Sequence, residues 1–429
     1  MKKNVFIIGQ DTFNFEKLKR LPEASECNFY PAIYYEEMRG TNLSIPFLID
    51  KAFERIEAVG KIDAIVSYFD FPGTDIVPII AKKYNIPGPE LESVLKCEHK
   101  YWSRLEQQKA IPQHIPKFVA FDPFNPEAYN QIDIIPPFWI KPIKSFRSYL
   151  AYIVNSEVQF HEYMDEVQAH INELAEPFNY FFQTFHMPNE IADMSESCIA
   201  ESPLFGHQCT IEGYVYESEV VIYGIIDSVR EENRSSFARY EYPSSLPQEI
   251  QFRMADITRR AIVQIGLNNS PFNIEFFYDS TINQIFMLEI NPRISQSHAS
   301  IFEKVHGMSH HDIMLNIALG RRPKALEYRG NYRVAANFML RTYEAGLIKS
   351  IPDEAEISAI RKKYPEFEMK LFVSPGQHLK QLPNQDSYSY ELANIFLGAK
   401  DQQELLDKYH TCLNDLTFDI EIDKSEVLH

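Results

Sequence analysis

The stretch Phe286–His298, FMLEINPRISQSH, sets Glu289, Asn291 and Arg293 at every second position. Alternate residues of a strand share a face, so a strand here carries an acid, an amide and a guanidinium side by side. The runs NIEFFYD and IFMLEIN, joined by STINQ, read as a β-hairpin. With Asp279 opposite Ile285 and Phe277 opposite Met287, Glu275 stands opposite Glu289. Two carboxylates directly opposed repel each other, and a divalent cation between them relieves the repulsion. Mg²⁺ takes oxygen ligands and keeps water or phosphate in its remaining positions, so Glu275, Glu289 and Asn291 suit it, with Mn²⁺ as a substitute. The plainer alternative is a hairpin whose acids face water. Pro292 ends the ladder, which leaves Arg293 just beyond the sheet.

Metal-bound phosphates also need cations. Lys141 lies in FWIKP, an apolar strand pattern in which a lone ammonium is costly. Its partner is either a phosphate or an internal acid. Lys100, in CEHKYW, carries little weight by itself. His298, His306, His310 and His311 cluster locally, and the spacing of His306 and His310 is compatible with one helix face. His298 follows the acid-bearing strand closely enough to line a reaction chamber. No Ser-His-Asp or Cys-His nucleophile pattern stands out.

Several elements must position these groups. NVFIIG and KIDAIVSYFD read as buried strands, separated by the helical pattern IPFLIDKAFERIEAVG and followed by the helix-and-turn DIVPIIAKKYNIPGP. Strand–helix repetition predicts a parallel sheet. Gln10, Asp11 and Thr12 follow Gly9, so the G-x-G-x-x-G dinucleotide fingerprint is missing. A helical stretch, ESVLKCEHKYWSRLEQQKAIPQHIPKF, leads to the strands PPFWIKPIKS and YLAYIVNS. CIAESPLFGHQCTIEGYVYESEVVIYGIIDS predicts antiparallel strands, Ser228 to about Pro247 a polar loop, and IQFRMADITRRAIVQIGL a helix. A mixed tail with the helix DQQELLDKYHTCLNDL closes the chain. The expected fold class joins α/β and α+β parts in three domains. These are a Rossmann-like unit over 1–95, a central unit over 96–325 and a mixed α/β unit over 326–429.

The 429 residues carry a net charge of −18, which disfavours nucleic acid as a partner. The five cysteines are scattered and never spaced C-x-x-C, which fits reduced thiols better than disulfides or zinc. No apolar run is long enough for a membrane span, and the apolar run at the N-terminus is too short for a signal peptide. A cytoplasmic setting is the expectation.

Four stretches together resemble the ATP-grasp superfamily, in its carboxylate–amine ligase and biotin carboxylase-like branch. HKYWSRLEQQKAIPQHIPKF resembles the helix that opens on an ATP-contacting lysine, with Ala110 replacing a glycine. PPFWIKPIKS resembles the strand bearing the second ATP lysine, IAESPLFGHQCTIEGYV the hinge strand, and FNIEFFYD with IFMLEINPRIS the metal hairpin. The resemblance spans about Leu95 to Gly320.

It implies ATP and Mg²⁺, with Lys100 and Lys141 on the nucleotide phosphates. Glu201 through Leu204, Ser202 among them, would present backbone and side-chain groups to the adenine, and Gln208 or His207 would reach the ribose, where the family often has an acid. Glu275, Glu289 and Asn291 would hold the metal. Arg293 would steady the transferred phosphate or the carboxylate it activates, a task for which guanidinium geometry suits it. One departure is KPIKSFRSYLAYIV, which has no glycine where the family places a flexible phosphate loop. The expectation is a side-chain clamp in which Ser145 and Ser148 offer hydroxyls and Lys144 and Arg147 offer charge. The alternative is a lost lid whose charges face water. The implied partners are a small-molecule carboxylate and an amine, joined through an acylphosphate. A bicarbonate-activating enzyme and a non-catalytic nucleotide binder are the other readings. Homodimers are common in the family.

Overall fold

A computed structural model of the chain describes residues 2–39, 43–145, 149–185, 187–188, 191, 194, 196–231, 236–382 and 389–427. The first strand, β1 (Lys3–Gln10), buries Val5 to Ile8 completely, as a strand covered on both faces should. It leads to α1 (Thr12–Arg20), capped by Asp11, then to β2 (Cys27–Tyr34) and α2 (Ile45–Val59). Ser44 caps α2 at its start, and Gly60, at φ 83°, ends it in the left-handed conformation that glycine adopts without strain. β3 (Ala64–Ser67) and α3 (Gly73–Tyr84) follow, and the loop between them carries Asp70. The long helix expected next is two helices, α4 (Leu91–Glu98) and α5 (Lys100–Ala110). The break falls at His99, whose Nδ1 accepts the Trp102 amide at 3.1 Å and so starts the second helix.

Next come β4 (Phe118–Phe121), α6 (Ala128–Gln131), β5 (Phe138–Pro142) and β6 (Tyr152–Val154). Two helices follow, α7 (Glu157–His170) and α8 (Asn172–Thr184), then the strands β7 (Cys198–Glu201), β8 (His207–Tyr216) and β9 (Glu219–Arg230). The expected polar loop over 228–247 is overturned in part: β9 runs to Arg230, and β10 (Phe237–Tyr242) is a strand. The remaining elements are α9 (Gln248–Ile265), β11 (Ser270–Asp279), β12 (Gln284–Asn291), α10 (Gln296–His306), α11 (His310–Ala318), β13 (Val334–Thr342), β14 (Glu344–Ser350), α12 (Glu354–Lys363), β15 (Glu368–Leu371), β16 (Tyr390–Ala399), α13 (Gln402–Asp415) and β17 (Asp419–Val427). His306 therefore ends one helix and His310 begins the next, so they do not share one helix face.

The chain forms two compact units. The first comprises Met1–Gly224, Leu246–Ser295 and His311–Lys324. It contains a parallel sheet in the order β2-β1-β3, an antiparallel sheet β4-β7-β5-β6, and the antiparallel run β12-β11-β8 joined by the first half of β9. Phe6, Ile8, Ile49, Trp102, Phe178 and Phe181 pack one of its cores, and Phe138, Ile140, Phe160 and Val167 another. The second unit comprises Ile225–Ser245, Gln296–His310 and Ala325–His429. Its antiparallel sheet runs from the second half of β9 through β10, β13, β16 and β15, over a core that includes Phe338, Ile360, Ile395 and Leu405. No helix among the described residues is long and apolar enough to cross a membrane.

Candidate active site

The antiparallel run of the first unit separates two chemistries. Residues facing one way on β8, β11 and β12 include Ile211, Phe272, Ile274, Phe276, Met287 and Ile290, all buried in apolar packing. The positions between them carry Gln208, Thr210 and Glu212 on β8, Asn273 and Glu275 on β11, and Glu289 and Asn291 on β12. Period-two alternation thus gathers three acids and three amides on one face.

Glu275 does pair with Glu289, but by a different register from the one expected. Asp279 faces Gln284 and Phe276 faces Met287, and a bulge at Leu288 then restores the expected alignment at Glu275. One extra residue on β12 re-aims the strand end, as bulges beside functional sites do. Asn273 faces Asn291, whose Nδ2 donates to Asn273 Oδ1 at 3.2 Å, while Asn273 Nδ2 donates to the Arg293 carbonyl at 2.9 Å. That chain leaves the Asn291 oxygen as an acceptor. Gln208, expected at the ribose, instead donates from Nε2 to Glu275 Oε2 at 3.0 Å. His207 opens β8 opposite Tyr278.

Two lysines, Lys100 and Lys141, approach this face. Lys100, first residue of α5, donates from Nζ to the Ser145 carbonyl at 2.8 Å and lies 3.8 Å from Glu289 Oε2. Burial lowers its pKa and Lys141 and Lys144 add repulsion, while Glu289 and Glu98 work the other way. Burial pushes the Glu289 carboxyl up, but Lys100 and Lys141 more than offset this and hold it below its ordinary value. An ammonium disfavoured by burial and by neighbouring cations gains from any anion brought close to it.

Lys141 has an internal acid. Its Nζ sits 2.5 Å from Glu201 Oε2, and Arg104 Nε donates to Glu201 Oε1 at 2.5 Å. Arg104 also donates to the Leu288 carbonyl at 2.6 Å, on the bulge. The Glu201 carboxylate is thus committed to two cations, which corrects its expected side-chain role at an adenine. Burial raises its pKa, yet Arg104 and Lys141 bring it down to about 2. Ser202 is tied to Lys117 through both its amide and its hydroxyl, and Leu204 is half-buried in the hinge.

The expected side-chain clamp needs a second correction. Lys144 is buried, bonded to Glu98, with its ammonium 4.5 Å from the Phe71 ring centroid and 4.7 Å from that of Phe178. It neither reaches out to a phosphate nor faces water. The Ser145 hydroxyl donates inward to the Pro142 carbonyl at 3.3 Å. Arg147 and Ser148 lie outside the described residues.

Several residues at this site escaped the sequence reading. Asp70 accepts from Arg293 Nη2 at 2.5 Å. Burial raises its pKa, but Arg293 and Lys144 hold it well below the ordinary value. Glu212 is fully buried, and burial pushes its carboxyl well above the usual range against the pull of Arg293. Asp75, which lies near Glu98, Lys144 and Asp70, is raised likewise, by burial and then Glu98, and neither of its side-chain oxygens has a hydrogen-bond partner. His99 is driven to about 3 by burial, so it is neutral. Glu212 was findable: Gln208, Thr210 and Glu212 alternate just as Glu289, Asn291 and Arg293 do.

A parallel sheet, a four-stranded antiparallel sheet and a polar face with opposed acids thus make up the first unit. Residues 134–300 match the family model of the ATP-grasp domain, so the chain carries that domain. Solved structures agree at the level of fold. An L-amino acid ligase from Bacillus licheniformis is similar with a TM-score of 0.76 at 17% identity, covering 97% of this chain and 98% of its own. Phosphoribosylglycinamide synthetase from Anaerococcus prevotii matches with a TM-score of 0.66 at 15% identity, over 98% of this chain and 100% of its own. Biotin carboxylase from Campylobacter jejuni matches with a TM-score of 0.66 at 15% identity, over 97% and 92%.

Proposed function

We propose that this chain is an ATP- and Mg²⁺-dependent ligase that activates a small-molecule carboxylate for attack by an amine. One observation carries the reading: Glu275 and Glu289 are opposed on adjacent strands, on a face shared with Asn291 and approached by Lys100. The donor set fits a hard divalent cation, because it offers two carboxylates and an amide oxygen and no sulfur. Bound there, Mg²⁺ would neutralise charge on the nucleotide phosphates. The solved structures with similar folds, an amino-acid ligase and a biotin carboxylase among them, support the same class of chemistry.

In this reading Lys100 and Lys141 bind the phosphates. Glu201 and Arg104 hold Lys141 in place, and Lys100 trades its Ser145 contact for the incoming anion. Arg293 holds the acid being activated. A carboxylate oxygen takes the γ-phosphoryl group as its bond to ADP breaks. The amine nitrogen then bonds to the carbonyl carbon, phosphate leaves with the C–O electron pair, and the nitrogen gives up a proton. The chain's part is to position the reactants and offset charge.

Coupled measurement of ADP, phosphate and product mass with amino-acid mixtures tests this. ADP formed only when both an acid and an amine are present is the expected result. Bicarbonate-dependent ADP formation points to the carboxylase reading instead, and bound ATP that never turns over points to a non-catalytic binder.

A further inference from the structure

The ligase reading gives Arg293 a task but none to its ion-pair partner, Asp70. Arg293 follows Asn291 by a tight turn, with its amide donating to the Asn291 carbonyl at 2.9 Å. A carboxylate on this guanidinium therefore lies next to the metal-binding acids. Asp70 lies just past the carboxyl end of β3. The order β2-β1-β3 means that the chain reverses direction across the sheet between β1 and β3. The crevice outside such a reversal is where open parallel sheets take ligands. The two strand ends are close: a Cβ on Gly9 would meet the Phe69 ring at 2.5 Å, and the Tyr68 hydroxyl accepts the Asp11 amide at 3.2 Å.

Both members of the pair have bonding capacity to spare. Arg293 Nη1 reaches the Ile294 carbonyl at 3.3 Å, and its Nε is buried with no partner. Asp70 accepts the Phe71 amide on Oδ1 and Arg293 on Oδ2, and its side chain is 28% exposed. A guanidinium and a carboxylate in contact, each able to take one more partner, match a ligand that carries both charges close together.

Resting on the ligase reading, we infer that the activated acid is a zwitterionic α-amino acid, its carboxylate on Arg293 and its ammonium on Asp70. A zwitterion adds no net charge to the pair, so no buried charge is left uncompensated. An acid lacking the amine would bring a second anion up to Asp70 and meet its repulsion. Asp70 also keeps the bound amine protonated. Without a lone pair that amine cannot attack, so the nucleophile is the amine of the other substrate and the donor's own amine stays free in the product.

The test compares an α-amino acid with its desamino analogue as acyl donor, with ATP, Mg²⁺ and hydroxylamine as acceptor, reading both ADP and the hydroxamate. The wild-type protein is expected to favour the amino acid by about 30-fold in kcat/KM, the scale of one hydrogen bond between charged groups. Asp70→Asn should collapse that ratio to about 3-fold or less, and Asp70→Glu should keep more of it. Equal use of both donors by wild type overturns the inference whether or not the variants fold. Loss of both donors in equal proportion in Asp70→Asn, with the ratio intact, also overturns it and leaves Asp70 a mere support. If neither acid elicits ADP from wild type, the ligase reading itself fails and the inference falls with it.

Discussion

Glu201 and Glu289 both stand at strand ends beside Lys141, yet their surroundings differ. The Glu201 side chain is 5% exposed, and each of its oxygens lies 2.5 Å from a cation. That of Glu289 is 38% exposed, with one ammonium at 3.8 Å and a second acid, Glu275, across the strand pair. A buried carboxylate with both oxygens taken by cations belongs to the framework. Like charges opposed, with cations held back, make a site that is completed from outside. The same contrast separates Lys144, sealed against Glu98, from Lys100, held by a carbonyl and only loosely by an acid. Charge content alone does not single out a candidate site here; charges with bonding capacity to spare, at Glu289, Lys100 and the Asp70–Arg293 pair, do.

The contrast breaks if the framework acid proves dispensable. Glu201→Ala would leave Arg104 and Lys141 buried with no anion, and is expected to cost about 4 kcal/mol in urea unfolding. Glu289→Gln should divide its effects the other way. Turnover is expected to fall about 100-fold, roughly 3 kcal/mol, while stability without metal drops by only about 1 kcal/mol or less, because Lys100 and Lys141 lose the charge that holds the Glu289 pKa down.

The pH dependence sharpens the point. The folded-state pKa of Glu201 is lowered, so its contribution is present above its ordinary value and is lost as pH falls from 4.5 toward about 2. Wild type should lose about 3 kcal/mol across that window. Glu201→Gln, followed by thermal unfolding, should show a shallower decline. The smallest effect is Mg²⁺ alone, expected to raise the wild-type Tm by about 2 °C and to leave Glu275→Gln unmoved.

Much of this was legible from the chain. The opposed acids, the amide and the guanidinium followed from alternation, because a strand's period survives its tertiary context. The hairpin register came out right at Glu275 although the bulge at Leu288 was invisible, since one residue of slip at the turn and one at the bulge cancel. β2 was missed because Asn28 and Pro31 are poor strand formers; β2 tolerates them at the edge of its sheet. The partners of Lys144 and Arg293 were out of reach for another reason. Glu98 and Asp70 lie 46 and 223 positions away in the chain, and no local pattern announces a contact made by folding.

Calorimetric titration of Mn²⁺, with a non-hydrolysable ATP analogue present, into wild type and into the doubly substituted Glu275→Gln, Glu289→Gln protein tests the central claim most directly. Tight, stoichiometric binding to wild type and a loss of about 100-fold or more in the double variant is the predicted result. Equal affinity in the two proteins would contradict it, because the ion would then be held by something other than the opposed acids.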